Sequence, residues 1–180
     1  IIKPNQGHVV ASTACLGSRL DKMLLQEHEE GGGFNLAFEE VKRLQNIFGL
    51  DNLYLEIQPA KLTDTDQSHV NLLMWELHKR TGVPIIPTTD SHYLSKDTAF
   101  IHKVYLQSQD GDREVDDFYA TAYLMGEDEL REYLRIDFND KQIDKMLEWS
   151  VELGNRIGEY NIRRNPIIPQ IPEDKIPDFT

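Results

Sequence analysis

PIIPTTDSHYL, residues 84–94, joins two opposed characters in one stretch. Pro84, Ile85, Ile86 and Pro87 read as a short buried strand, whereas Thr88, Thr89, Asp90, Ser91 and His92 are polar. Alternate residues of a strand point to one face, so Asp90 and His92 project together if the extended conformation persists through Ser91. In parallel α/β folds the groups that do chemistry collect at the carboxyl ends of strands, and this pair sits at such an end. A carboxylate beside an imidazole suits metal ligation or acid–base work. The blander reading is that a D-x-H pattern arises easily by chance in an aspartate-rich chain.

Working outward, SHVNLLMWELHKR at 68–80 is an amphipathic helix with Ser68 as its N-cap and Gly82 just past its basic end. Before it, LYLEI at 53–57 is a β-branched and aromatic run of strand length, closed by Pro59. Phe34, Ala37, Phe38, Val41, Leu44, Ile47 and Phe48 recur at helical spacing, and Gly49 ends that helix. GHVVASTA at 7–14 reads as a buried strand entering a turn at Cys15, followed by a helix over Leu20 to Glu30 and a break at Gly31 to Gly33. Strands therefore alternate with helices, which predicts parallel strands joined by helical crossovers. After residue 94, Asp97 is expected to cap a helix through Gln109 that carries Ala99, Val104 and Leu106 inward. GDREVDD is read as an acidic loop, and FYATAYL at 118–124 as a strand or an extended segment. A short helix is expected from Gly126 to Leu134. Asn139 with Gln142 forms a capping-box start for a long helix to about Tyr160, its apolar face made by Ile143, Met146, Leu147, Val151 and Ile157. The proline-rich end, RRNPIIPQIPEDKIPDFT, is an extended connector.

The 180 residues, 39% hydrophobic and 28% charged, suit one soluble domain or a piece of a larger protein. No apolar run approaches the length of a membrane span. The opening IIKPNQGHVV lacks the features of a signal peptide and starts as though already inside a fold, so a fragment is expected. Cys15 is the single cysteine; it forms no internal disulfide and fits a reducing, cytoplasmic compartment. A net charge of −12 argues against a broad surface that grips phosphate backbones unaided, but leaves room for a site where metal cations offset the acids.

Cys15 also follows a short apolar strand, and a thiolate, a carboxylate and an imidazole at neighbouring strand ends suit zinc or a similar metal. Its bland reading is a small buried hydrophobe. Glu56 faces either a barrel interior or a partner on a helix. His69 and His78 lie on nearly opposite helix faces, and His8, His28 and His102 have no preferred role. Trp75 and Trp149 belong to the core. No P-loop, G-x-G-x-x-G or G-x-S-x-G pattern is present.

The ordered set STACLGS at 12–18, LYLEIQ at 53–58, PIIPTTDSHYL at 84–94, DTAFIHKVYL at 97–106 and AYLMGEDELREYL at 122–134 resembles the PHP domain of C-family replicative DNA polymerases, the family of the polymerase III alpha subunit. The resemblance covers nearly the whole chain. It implies an α/β fold, a partial (β/α) PHP-type barrel followed by C-terminal helices, with residues 1–125 as the C-terminal portion of a PHP domain, 126–165 as helices leading toward the polymerase palm, and 166–180 as the connector.

By the same resemblance Cys15, Asp90 and His92 match metal ligands of the family, for zinc or manganese. The family's first motif, H-x-H, has no counterpart here and is expected upstream of Ile1. The carboxylates that add nucleotides, with their magnesium, are expected downstream, so no catalytic residue for polymerisation lies in this chain. The implied partners are DNA, reached through the parent polymerase, and replisome proteins. The implied activity is a DNA-directed DNA polymerase whose PHP region supports metal-dependent 3′–5′ exonuclease proofreading, the isolated fragment being inactive. Two alternatives stand beside it: a catalytically silent PHP scaffold, and a stand-alone PHP phosphoesterase.

Overall fold

The computed structural model describes residues 7–30, 32–109, 111, 119–159, 161 and 163. The expected connector at 166–180 and most of the acidic loop at 111–117 lie outside the described residues. Three strands, β1 (Ala11–Ser12), β2 (Leu53–Ile57) and β3 (Ile85–Pro87), form a sheet in the order β1-β2-β3. Both pairings are parallel, with Ser12 opposite Tyr54 and Glu56 opposite Ile86. Helices α1 (Arg19–Glu30) and α2 (Gly33–Phe48) connect β1 to β2, and α3 (Thr65–Thr81) connects β2 to β3. Beyond the sheet come α4 (Ala99–Gln109), α5 (Glu127–Leu134) and α6 (Asp140–Arg156). Mixed α/β architecture with parallel strands is as expected; among the described residues the sheet is open, with three strands and no closure into a barrel.

β2 is the middle strand. Leu53, Leu55 and Ile57 enter the main core with Val70, Met74 and Leu77 of α3 and Ile143 and Met146 of α6. The C-terminal helices thus share one core with the sheet. Tyr54 and Glu56 point to the opposite face of the strand.

Local differences from the sequence reading have definite causes. Only Ala11 and Ser12 pair in β1, and Val9 is exposed, so GHVVASTA is not a buried strand along its length. α3 begins at Thr65, not Ser68, because the Asp64 side chain accepts a hydrogen bond from the Gln67 amide at 3.1 Å. That leaves Ser68 within the helix, its hydroxyl donated to Asp137. Ser95, rather than Asp97, opens the next helical segment through a capping box with Thr98. Val104 of α4 faces outward, together with Phe100, Ile101 and Tyr105. Residues 119–121 turn, and the expected strand reduces to one parallel bridge, Tyr93 with Tyr123. Asn139 and Gln142 cap α6 as expected, but the helix stops at Arg156, and Val151 and Ile157 are exposed. Trp75 and Trp149 pack against the core and are half-buried, with His78 between them at ring distances of 5.2 and 4.8 Å.

Candidate functional site

The carboxyl ends of all three strands open on one side of the sheet. Their main-chain ladder is short, its last bond being Thr88 N to Ile57 O at 2.9 Å. Beyond it side chains continue the joining. The Glu56 carboxylate accepts the Ser12 hydroxyl through Oε2 and the Thr88 hydroxyl through Oε1, both at 2.5 Å. The Glu56 amide in turn donates to Thr13 Oγ1 at 2.9 Å.

Two residues past these contacts adopt left-handed backbone: Ala14 at φ 65° and Asp90 at φ 42°. Aspartate tolerates that region through its short polar side chain, whereas alanine has no such help, and backbone of this kind concentrates at functional sites. Neither segment therefore continues as an extended strand. Asp90 and His92 do not meet by simple strand alternation, yet they do meet: His92 Nε2 lies 3.5 Å from Asp90 Oδ2.

Cys15, Asp90, Gln58, Lys61, Asp64 and Tyr119 line a cavity of about 460 Å³ at these strand ends. Cys15 is half-buried. His92 stands beside the cavity instead of lining it, its ring 4.9 Å from Tyr119 and 5.3 Å from His102. The main chain fixes it there, His92 N donating to Ala122 O at 2.8 Å, and the Tyr93 hydroxyl donates to Tyr119 O at 2.8 Å.

Three sequence-predicted residues thus reach one end of the sheet, and Cys15 and Asp90 share a cavity wall. Their donor types fit a borderline metal ion. Their number does not: among the described residues no three His, Cys, Asp or Glu side chains come close enough to hold a metal. By itself this geometry supports no metal-dependent step.

Other residues join the site without having been singled out. Asp21 is almost wholly buried, and its carboxyl is pushed up from 3.8 to about 7, chiefly by burial. The Ser18 hydroxyl bond at 3.0 Å opposes that rise and the Glu56 charge adds to it. The S-x-x-D spacing of Ser18 and Asp21 signals a helix start, which the Asp21 amide completes by donating to Ser18 Oγ at 3.1 Å. His102 enters through its rings, packed on His92, Tyr93 and Tyr119. Glu129 anchors the neighbouring segment: it accepts the Tyr123 hydroxyl at 2.6 Å and pairs with Lys96 at 2.9 Å, which hold its carboxyl below the usual range. His8 is exposed, His69 and His78 do not share a site, and the His28 side chain lies outside the described residues.

No family model matches the chain. Similarity to individual proteins is extensive. The chain is 32% identical over 189 residues to a probable DNA polymerase, YorL, of Bacillus subtilis and to the same degree to a DNA-directed DNA polymerase of Bacillus phage SPbeta, in each case over 99% of this chain and 14% of the relative. It is 27% identical over 187 residues to the DNA polymerase III subunit alpha of Thermus aquaticus, covering 97% of this chain. The chain is a relative of the DNA polymerase III alpha subunits. It spans about 14% of the length of these relatives. Among the described residues no helix is long and apolar enough to cross a membrane.

Proposed function

We propose that the chain is a segment of a DNA-directed DNA polymerase of the polymerase III alpha type that acts on DNA in replication, and that it forms the C-terminal portion of a PHP domain with its following helices. The observation that carries this reading is the match to DNA polymerases along 99% of the chain. Polar and titratable side chains at the carboxyl ends of parallel strands support the PHP assignment. Nucleotide addition belongs to other parts of such a polymerase. The match extends through α5 and α6, which favours a polymerase over a free-standing phosphoesterase.

In the intact protein, Cys15 and Asp90 on the cavity wall, with His92 beside it, belong to a site completed by residues outside those described. With zinc or manganese bound there, the metal would supply an activated water for phosphodiester hydrolysis, hence 3′–5′ exonuclease proofreading. What this chain contributes is the placement of a carboxylate against an imidazole, with a thiol on the same cavity wall.

The test uses the full-length polymerase with Asp90→Asn and, separately, His92→Ala. Both variants are expected to lose bound metal and removal of a mismatched 3′ nucleotide while extending a primed template normally. Full exonuclease rate and metal content in both variants would refute the assignment. A specific observation favours a second reading, a silent scaffold: among the described residues no third donor joins Asp90 and His92, and the His92 ring contacts those of Tyr119 and His102. Under that reading the wild-type polymerase shows no exonuclease activity, and the same variants alter only stability.

A further inference from the structure

Glu56 is an unexpected residue for the middle strand of a buried parallel sheet, where a β-branched apolar side chain would pack at no electrostatic cost. Its surroundings give the reason. The two outer strands end in the same pattern, Ser12-Thr13-Ala14 and Thr88-Thr89-Asp90: two hydroxyl residues, then one in left-handed backbone. In each, the first hydroxyl donates to a different oxygen of the Glu56 carboxylate, at 2.5 Å. Ser12 pairs in register with Tyr54, and Glu56 with Ile86, so Ser12, Glu56 and Thr88 lie on one face of the sheet. β1 has only two residues and β3 three, so main-chain pairing ends where the Glu56 contacts begin.

We infer that Glu56 is a positioning residue: its carboxylate ties the ends of β1 and β3 across β2 and thereby fixes where Cys15 and Asp90 stand on the cavity wall. Short hydrogen bonds to an ionised acceptor are strong enough for this. The Thr13 bond to the Glu56 amide holds the same turn from behind. Without the tie, the segment from Thr13 to Gly17 keeps that bond, the two-residue pairing of β1 and the packing of Leu16 on the core, none of which reaches β3 at Thr88. The inference rests on the strand-end cavity being the working site, but its test reads geometry and needs neither bound metal nor nuclease activity.

That test is the rate of Cys15 alkylation by iodoacetamide in the intact polymerase, followed by mass spectrometry of the peptide that carries it. Glu56→Ala is expected to label about tenfold faster than wild type, as local opening exposes the thiol. Glu56→Gln retains an oxygen and an amide that reach both hydroxyls, each of which can donate or accept, so its rate stays within about threefold of wild type. Val41→Ala, a core change in α2 away from the strand ends, controls for general loss of stability and leaves the rate unaltered. The inference is overturned if Glu56→Ala labels within about twofold of wild type, if Val41→Ala accelerates labelling as much, or if Glu56→Gln matches Glu56→Ala. Loss of exonuclease activity in Asp90→Asn, or its persistence, bears on the function alone and leaves this result standing.

Discussion

Asp21→Asn is the substitution that most directly exposes the electrostatics beneath the strand ends. The Asp21 carboxyl titrates at about 7 in the folded chain against 3.8 when free, because burial disfavours the charged form and the Glu56 charge adds to the effect. A folded-state value above the unfolded one means that the native chain holds the proton while the unfolded chain has lost it. Stability is therefore greatest below about pH 4 with respect to this group and falls as pH rises toward 7, by about 1.4 kcal/mol per pH unit. The gap of about 3 pH units, times that slope, is on the order of 4 kcal/mol by pH 8. Asparagine is neutral throughout and still offers an oxygen to the Ser18 hydroxyl. The variant is expected to match wild type near pH 4 and to exceed it by roughly 2–4 kcal/mol at pH 8. Urea denaturation of the 180-residue chain at intervals of one pH unit measures the difference directly. A wild-type-to-variant difference that stays constant from pH 4 to pH 8 would show that Asp21 ionises normally and that the burial argument is wrong.

Two further substitutions test how the sheet is held to its helices. Asn71 is fully buried; its amide donates to Gln58 O at 2.9 Å and Asp137 Oδ2 at 2.7 Å, and its oxygen accepts from Gln67 Nε2 at 3.0 Å. Asn71→Ala strands these partners, and the expected loss is about 2–4 kcal/mol in the same denaturation assay; a loss below about 1 kcal/mol would mean that water replaces the network. Asn139→Ala removes the side-chain cap of α6 and is expected to cost about 1 kcal/mol, with Asn139→Asp, which still accepts from the Gln142 amide, recovering most of it.

Much of the architecture was legible because periodicity and end signals agreed. LYLEI, the apolar spacing of 34–48 and the Asn139–Gln142 box each appear as β2, α2 and the start of α6. Where several residues carry the same signal, the sequence is silent about which acts. In TDTDQS, Asp64, Thr65, Asp66 and Ser68 are all able to cap a helix, and only the folded chain shows Gln67 donating to Asp64. Helical periodicity likewise reports an apolar stripe on α4 but not its direction, which is why Val104 was expected inward and is found outward.

The strand-end residues were legible as a set and illegible as a geometry. Cys15, Asp90 and His92 could be named because each follows a short apolar run, yet the conformation that places them departs from the extended chain assumed for them. The backbone turns left-handed at Ala14 and Asp90, so proximity of Asp90 and His92 comes from a turn held by main-chain and ring contacts, not from strand alternation. Asp21 is illegible for a related reason: an acid in the first turn of a helix ordinarily faces water, and only the packing of α1 onto α2 and α3 in the folded chain buries it within reach of the Glu56 charge. Period-two and period-3.6 patterns record which side of an element is apolar. They carry no record of polar groups meeting between elements, and the hydroxyl pairs of STA and TTD gain meaning only once Glu56 is seen to lie between them.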